Sequence, residues 1–113
     1  MIIITGGAGF IGANLIKEIN KKSTEIIIVD NIKKTKKNLE KLKYKDYYDK
    51  YDFFKKINNN NFQHKIDSII HLGACSDTTE SNWDYLKFNN IVYTKKMYEL
   101  SLINNCQFIY ASS

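Results

Sequence analysis

The protein has 113 residues with a formal net charge of +5, and 43% of its residues are hydrophobic. This length corresponds to one domain at most and excludes a two-domain enzyme. All 17 basic residues are lysines and proline is absent. Because the codons of its abundant Lys, Asn and Ile are rich in A and T, we attribute much of the charge to nucleotide bias in the source genome.

The distribution of apolar residues and cysteines excludes further classes. No apolar run approaches the roughly 20 residues that span a bilayer, so we expect a soluble, cytoplasmic protein without membrane contact. Cys75 and Cys106 have neither CxxC spacing nor a histidine at ligand spacing, which predicts reduced thiols and no metal site. The lysines are spread along the chain among 12 acidic residues, which argues against nucleic-acid binding.

The first third of the chain predicts a strand, a helix and a second strand. Residues 1–5 are an apolar run rich in β-branched residues, as in a buried parallel strand. Apolar residues recur at intervals of three and four over residues 10–19, which predicts a helix ending among residues 21–23. Residues 25–30 repeat the first strand in kind and end on Asp30. Together they form a βαβ unit.

The later segments continue the same alternation. Residues 49–57 predict a helix, although the stretch from residue 38 supports no single period. We then expect a buried strand over residues 66–72, a long helix over residues 81–104 and a last strand over residues 107–111. This pattern indicates an α/β fold, a Rossmann-type parallel sheet with helices on both faces that is truncated after about the fifth strand.

Ligands of such folds bind at the carboxyl ends of the strands. A glycine-rich loop follows the first strand here, where Gly7 begins GxGxxG spacing and Gly6 begins GxxGxxG spacing. We expect the early glycines to allow a tight turn, Gly9 to admit a pyrophosphate and Gly12 to let the helix pack on the strand. Phosphates would then meet free N–H groups and the positive end of the helix dipole. A tight structural turn is the alternative.

A glycine loop between a strand and a helix predicts binding of a dinucleotide cofactor. The residues after the second strand leave the choice between NADP and NAD open. Asp30 lies 18 residues after Gly12, close to the roughly 20 expected for an acid that binds a ribose hydroxyl. It favours NAD. The lysines of residues 33–37 would favour NADP by neutralising a 2′-phosphate, or they form a solvated loop.

Several segments resemble the extended short-chain dehydrogenase/reductase family, which includes NAD-dependent epimerases and dehydratases. They are residues 5–12, residues 71–80, the pair Asn89 and Asn90, and residues 110–113. Tyr93, where many relatives carry glycine, and residues 49–53 make the likeness most specific to a subgroup that acts on a nucleotide-linked heptose. The likeness covers nearly the whole chain.

The resemblance implies an enzyme that oxidises C6 of an ADP-heptose by passing hydride to bound NADP and returns the hydride to the other face. Its product would feed lipopolysaccharide core assembly, and the full-length enzyme would be a homo-oligomer. Another nucleotide-sugar epimerase or dehydratase, or a non-catalytic nucleotide-binding remnant, is the alternative.

The resemblance also assigns cofactor contacts to particular residues. It implies that residues 10–11 lie along the pyrophosphate, residues 30–31 at the adenosine ribose, and a lysine at or near Lys36 at its phosphate. Residues 72–76 would pass beneath the cofactor, largely through backbone groups. The predicted cofactor-binding residues are Gly6, Gly7, Gly9, Phe10, Ile11, Gly12, Asp30, Asn31, Lys36, Lys50, Leu72, Gly73, Ala74, Cys75, Ser76 and Asn89.

Ser113 matches the catalytic serine of the family, which hydrogen-bonds the reacting hydroxyl. Its usual partners are a general acid/base tyrosine and a lysine four residues later, and both would lie beyond it. Tyr51 and Lys55 have that spacing, but they precede the strand at residues 66–72 and we reject them. We therefore expect residues 1–113 to be an incomplete NAD(P)-binding domain that does not epimerise alone.

Three polar residues allow more than one role. Asn89 falls among apolar residues at helical spacing, so its amide would lie near the cofactor or bond the sheet backbone, and the two roles are compatible. His71 and Cys75 lie near the end of one strand without a third catalytic partner. We expect both to pack in the core.

Overall fold

A five-stranded parallel sheet organises the protein, as seen in a computed structural model that describes residues 1–31, 37–73 and 82–111, without the side chains of residues 85 and 86. The strand order is β3-β2-β1-β4-β5, and every neighbouring pair is parallel. This arrangement confirms the predicted Rossmann-type sheet. The strands are β1 (Ile2–Thr5), β2 (Ile26–Asp30), β3 (Asp46–Asp49), β4 (Ser68–His71) and β5 (Gln107–Tyr110).

Helices connect the strands close to the predicted positions. A 3-10 turn covers Lys37–Leu39, and a π-helical turn at Phe88–Val92 joins the last two helices into one run. The predicted helix over residues 81–104 is therefore confirmed over residues 83–103 with one π-turn, and its first predicted residue, Ser81, lies outside the described residues. The α-helices are α1 (Phe10–Ile19), α2 (Lys50–Asn58), α3 (Trp83–Lys87) and α4 (Tyr93–Ile103).

The helices cover both faces of the sheet, as expected. Neighbouring residues of a strand point to opposite faces, and Ile3 and Ile4 of β1 accordingly belong to two separate core clusters. One cluster packs Ile3 against Phe53 of α2 and Met97 of α4, whereas the other packs Ile4 against Ile16 of α1. Burial on both faces explains why β1 and β2 are continuous apolar runs.

Local signals define the helix ends. The Asp49 side chain accepts hydrogen bonds from the backbone N–H groups of Tyr51 and Asp52, which caps α2 and agrees with the predicted start of that helix. Asn104 caps the end of α4, and Asn105 has a φ of 50°, a left-handed conformation that asparagine tolerates. The Asp49 cap starts α2 directly after β3, at the carboxyl end of that strand.

Strand β3 was missed by the sequence analysis, which assigned no element to residues 38–48. Among the described strands it pairs with β2 alone, so it lies at the edge of that sheet, and it carries Asp46 and Asp49 at its ends. A short, polar edge strand buries little apolar surface and therefore lacks the pattern of a buried strand. Its position becomes visible only through its pairing with β2.

Candidate functional site

The carboxyl ends of β1, β2 and β4 meet at the point where the chain order of the sheet reverses. Strand β1 lies beside β4. The chain leaves β1 towards β2 and leaves β4 towards β5, in opposite directions, which opens a crevice between them, the usual ligand position in this class of fold. A small pocket lies there, between the strand ends and two helices. It is lined by Thr5, Gly6, Val29, Asp30, Lys50, His71, Gly73 and Tyr93.

The glycine loop at this rim has the geometry expected of it. Gly6 has a φ of 73°, the left-handed region that favours glycine, and an added Cβ would lie 2.8 Å from the Leu72 carbonyl carbon. A Cβ at Gly12 would lie 2.5 Å from the Gly6 oxygen and 2.6 Å from the Gly7 Cα. The first turn of α1 therefore packs directly on the backbone of the loop, as predicted.

The N-terminus of α1 is open towards the rim. Gly9 occupies the cap position, and the helix has no side-chain cap and no acidic residue in its first turn. Phe10 and Ile11, which begin the helix, are 76% and 72% exposed despite being large and apolar. The first N–H groups of a helix carry a partial positive charge and need an acceptor, so this end suits an anion.

Two side chains clamp the peptide groups of Ala8 in the middle of the loop. The Asp30 carboxylate accepts a hydrogen bond from the Ala8 N–H at 3.0 Å and a second from the Asn31 N–H at 2.7 Å. Asn38 donates from Nδ2 to the Ala8 carbonyl at 3.3 Å. Asp30 is only 7% exposed, so it fixes the loop as well as presenting a carboxylate at the rim.

Asn31 directly follows β2, as its predicted place at the rim requires. Its carbonyl accepts a hydrogen bond from the Tyr47 hydroxyl at 3.2 Å. Burial and the Asp30 carboxylate raise the pKa of Tyr47 to about 12, so this hydroxyl stays protonated and keeps donating. The contact ties the end of β2 to the edge strand β3.

Lys50 lies at the rim because α2 begins there. Its Nζ is 5.5 Å from the centroid of the Tyr93 ring and 5.8 Å from that of Tyr51, distances suited to cation–π contact. The Tyr93 hydroxyl donates to the Lys50 carbonyl at 2.9 Å. The Tyr93 side chain thus contacts both the ammonium group and the backbone carbonyl of Lys50. The sequence did not predict this contact.

Tyr93→Phe is expected to reduce the free energy of unfolding by about 1 kcal/mol, because the Lys50 carbonyl loses a partly buried hydrogen bond. Urea unfolding measures this difference. Tyr98→Phe is the matched control on the same helix, since the Tyr98 side chain is 49% exposed and its hydroxyl can bond water. Equal losses in the two variants would contradict the role given to the Tyr93 hydroxyl.

His71 is packed in the core, as the sequence analysis expected. It is 1% exposed, and its ring stacks on the rings of Tyr93 and Phe108. Burial and, secondly, the charge of Lys50 lower its pKa to about 4. It bonds Thr5 and Thr94 through its two ring nitrogens. Thr5, which sequence reasoning overlooked, gave no signal because a lone threonine at a strand end is common.

The other predicted residues divide into two groups. Asn89 lies in the π-helical turn and is 1% exposed, which confirms the expected burial of its amide, and its role near a cofactor stays a prediction. Leu72 and Gly73 follow β4 at the rim. The predicted residues that lie outside the described ranges are Lys36, Ala74, Cys75, Ser76 and Ser113.

The rejected Tyr51 and Lys55 pair lies on α2, where Tyr51 stacks on Phe88.

Cys106 has a free thiol. In residues 1–31, 37–73 and 82–111, no cluster of three His, Cys, Asp or Glu residues could ligate a metal ion. Over the same ranges, the helices are too short or too polar to cross a membrane.

The fold and the glycine loop define a Rossmann-type α/β protein. The chain belongs to the NAD-dependent epimerase/dehydratase family, whose profile matches residues 2–113. It is similar to the ADP-L-glycero-D-manno-heptose-6-epimerase of Brachyspira hyodysenteriae, with 44% identity over 121 aligned positions that cover 100% of this chain and 37% of that enzyme. The chain thus spans little more than a third of that relative.

Solved structures agree with this assignment of the fold. The ADP-L-glycero-D-manno-heptose-6-epimerase of Helicobacter pylori superposes with a TM-score of 0.80 at 26% identity, over 99% of this chain and 38% of that protein. Pal from Bacillus thuringiensis superposes with a TM-score of 0.82 at 22% identity, over 99% of this chain and 38% of that protein. The second likeness shows the fold alone.

Proposed function

We propose that residues 1–113 are the incomplete NAD(P)-binding domain of an ADP-glyceromanno-heptose 6-epimerase. Such an enzyme interconverts ADP-D-glycero- and ADP-L-glycero-D-manno-heptose for lipopolysaccharide core biosynthesis. The observation that carries the proposal is the 44% identity to the Brachyspira enzyme along the whole chain. The full-length protein would act on ADP-heptose in the cytoplasm as a homo-oligomer.

The rim fits a dinucleotide on the evidence of its own residues. Side chains are absent from the loop at Gly6 and Gly12, where even a Cβ would strike backbone atoms. The first turn of α1 has no side-chain cap, so its N–H groups can donate to the oxygens of a pyrophosphate in place of a capping oxygen. The close packing fixes the backbone of the loop, and the uncapped helix start presents its N–H donors at the rim.

Each rim residue would contribute one part of the binding. The loop from Gly6 to Gly12 would cradle the pyrophosphate, with Phe10 and Ile11 along it, and Asp30 with Asn31 would hold the adenosine ribose. Lys50 would bring a positive charge that two tyrosine rings orient. Segment 72–76 and Asn89 would lie beneath the cofactor. When bound, NADP supplies the hydride acceptor for C6.

The lysines give NADP the advantage over NAD in this proposal. Lys50 places a cation at the rim, and Lys36 would add a second charge near the 2′-phosphate, where a phosphate contact is charge-assisted. Asp30 already accepts hydrogen bonds from the backbone of Ala8 and Asn31, which spreads its negative charge and lessens repulsion of a phosphate. Ser113 would hydrogen-bond the reacting hydroxyl once the missing tyrosine and lysine are supplied.

Titration of the protein with NADP+ and with NAD+ tests this function, and we expect saturable binding with NADP+ the tighter ligand. Asp30→Ala should weaken NAD+ binding by about tenfold, which corresponds to about 1.4 kcal/mol, and NADP+ binding by less, because the 2′-hydroxyl of NADP+ is phosphorylated. The Ala8 N–H and the ribose both lose a charged acceptor in this variant. Calorimetry or cofactor fluorescence gives the dissociation constants.

Asp46→Ala is the matched control for this change. It removes the same charge from the start of β3, where Asp46 is exposed and hydrogen-bonds Tyr47 and Tyr48 of its own strand. Its affinity for both dinucleotides should equal that of the wild type. A wild-type protein that is folded and binds neither dinucleotide would refute the proposed function.

A further inference from the structure

Three side chains, of which Thr5 and His71 are buried and Thr94 is half-buried, form a hydrogen-bonded chain across the sheet, from β1 through β4 to α4. The Thr5 Oγ1 lies 2.5 Å from Nδ1 of His71, and Nε2 of His71 lies 2.8 Å from Oγ1 of Thr94. Thr5 and His71 are both at least 98% buried. No solvent competes for these groups, so each proton has to be placed on one atom or the other.

The bonds around Thr5 decide where the protons are. Its Oγ1 also accepts from the backbone N–H groups of Leu72 at 3.0 Å and Gly73 at 3.1 Å. A hydroxyl has two lone pairs and one proton, so with both lone pairs occupied it has only its proton to offer His71. Nδ1 of His71 is therefore the acceptor, and its proton resides on Nε2, which donates to Thr94.

The Gly73 N–H depends on this arrangement more than its neighbour does. The Leu72 N–H donates to both the Thr5 hydroxyl and the Thr5 carbonyl, each at 3.0 Å. The Gly73 N–H donates to the Thr5 hydroxyl. Gly73 belongs to the segment 72–76 that is expected beneath the cofactor. Leu72 in turn touches Gly6 so closely that a Cβ there would not fit, so a shift at Gly73 reaches the glycine loop.

We propose that His71 is a positioning residue for dinucleotide binding, acting as a neutral Nε2–H tautomer whose Nδ1 orients the Thr5 hydroxyl and thereby fixes the backbone of Leu72 and Gly73. This proposal rests on the proposed function only for the identity of the ligand. The role proposed for His71 is indirect. It acts through Thr5, and a histidine protonated on both nitrogens could not, because Nδ1 would then donate to an oxygen that has no lone pair left.

The surroundings of His71 favour the neutral form. Lys50 of α2 is a positively charged neighbour, and the rings of Tyr93 from α4 and Phe108 from β5 stack against the imidazole. The remaining partners are the hydroxyls of Thr5 and Thr94. An imidazolium at this position would lie near the positive charge of Lys50. None of these partners is a carboxylate that could neutralise it.

Nitrogen-15 NMR of the imidazole tests the tautomer without any ligand. We expect a neutral ring at pH 7 with its proton on Nε2, and slow hydrogen exchange at the Gly73 amide. A proton on Nδ1, or a charged ring at pH 7, would overturn the assignment. Because the tautomer and the amide exchange are both measured without a cofactor, they test the role of His71 even if the protein binds no dinucleotide.

A pair of substitutions then separates positioning from packing. The Asn carboxamide of His71→Asn places an acceptor near the position of Nδ1, whereas that of His71→Gln reaches only the Nε2 end. We expect His71→Asn to bind NADP+ within about threefold of the wild type, and His71→Gln to lose on the order of tenfold and to exchange the Gly73 amide faster.

Changes at Thr5 supply a second test in case the histidine variants fold poorly. Thr5→Val should reproduce the loss seen in His71→Gln, and Thr5→Ser should restore binding. Ser101→Ala, which removes a buried hydroxyl bonded to the Tyr98 carbonyl far from the rim, controls for general loosening. Equal binding by the valine and serine variants, or a Gln variant that binds better than the Asn variant, would refute the positioning role.

Discussion

Gly12→Ala is expected to weaken dinucleotide binding on the order of 100-fold and to destabilise the fold by about 2 kcal/mol. The new Cβ would lie 2.5 Å from the Gly6 oxygen and 2.6 Å from the Gly7 Cα, and neither backbone atom can rotate away. Overpacking costs roughly 1–3 kcal/mol and sometimes more, which exceeds the helix propensity of about 1 kcal/mol gained from alanine. The helix therefore has to move off the loop.

The loss of binding follows from the same movement. A pyrophosphate held by the N–H groups of α1 depends on their direction, and each charge-assisted hydrogen bond contributes roughly 1.5–3 kcal/mol. Losing one or two of them gives the 100-fold effect. Dissociation constants and urea unfolding measure the two effects separately. Lys17→Ala, on the exposed side of α1, should change neither, and normal binding by Gly12→Ala would contradict the close packing.

Stability is expected to fall by about 3 kcal/mol as the pH drops from 7 to 4, because of His71. Burial and the charge of Lys50 lower the pKa of His71 from 6.5 to about 4. Between these values the unfolded chain binds a proton that the folded protein excludes, so the free energy of unfolding decreases as the pH falls. One pKa unit corresponds to about 1.4 kcal/mol. Below pH 4 both states are protonated, and this contribution stays lost.

Urea unfolding at a series of pH values measures this dependence. His71→Asn should flatten the curve between pH 6.5 and 4, whereas His64→Asn, which removes the exposed second histidine, should leave it unchanged. The N-terminal ammonium lowers the pKa of Asp67 by a hydrogen bond and by its charge, so the contribution of that group is lost only below about pH 4. A wild-type curve that is flat from pH 7 to 4 would contradict a buried neutral His71.

The strongest predictions from the sequence concerned features that are local in the chain. Gly6 and Gly12 are recognisable because strand, loop and helix follow one another within 20 residues, and the backbone contacts between them depend on that spacing. The buried strands were predicted equally well, since burial on both faces leaves a continuous apolar run. The predicted start of α2 is local as well, because the Asp49 side chain caps the helix by accepting from the N–H groups of the next few residues.

Features that depend on distant parts of the chain escaped the sequence analysis. Strand β3 is polar and becomes a strand through its pairing with β2. The hydrogen bonds that Ala8 makes with Asp30 and Asn38 span 22 and 30 positions of the chain. Tyr93 was singled out only for its resemblance to a subgroup. Its bond to the Lys50 carbonyl spans 43 positions.

The sequence by itself determined the class of fold, the glycine loop and the family, because these depend on the order and spacing of neighbouring residues. Only the tertiary structure decided which residues act together at the rim. The bonds from Thr5 to His71, Leu72 and Gly73 span 66, 67 and 68 positions, and they form because β1 and β4 are adjacent in the sheet. The state of a buried histidine follows from such contacts, because hydrogen-bond donors and acceptors can be counted only once the atoms have been brought together.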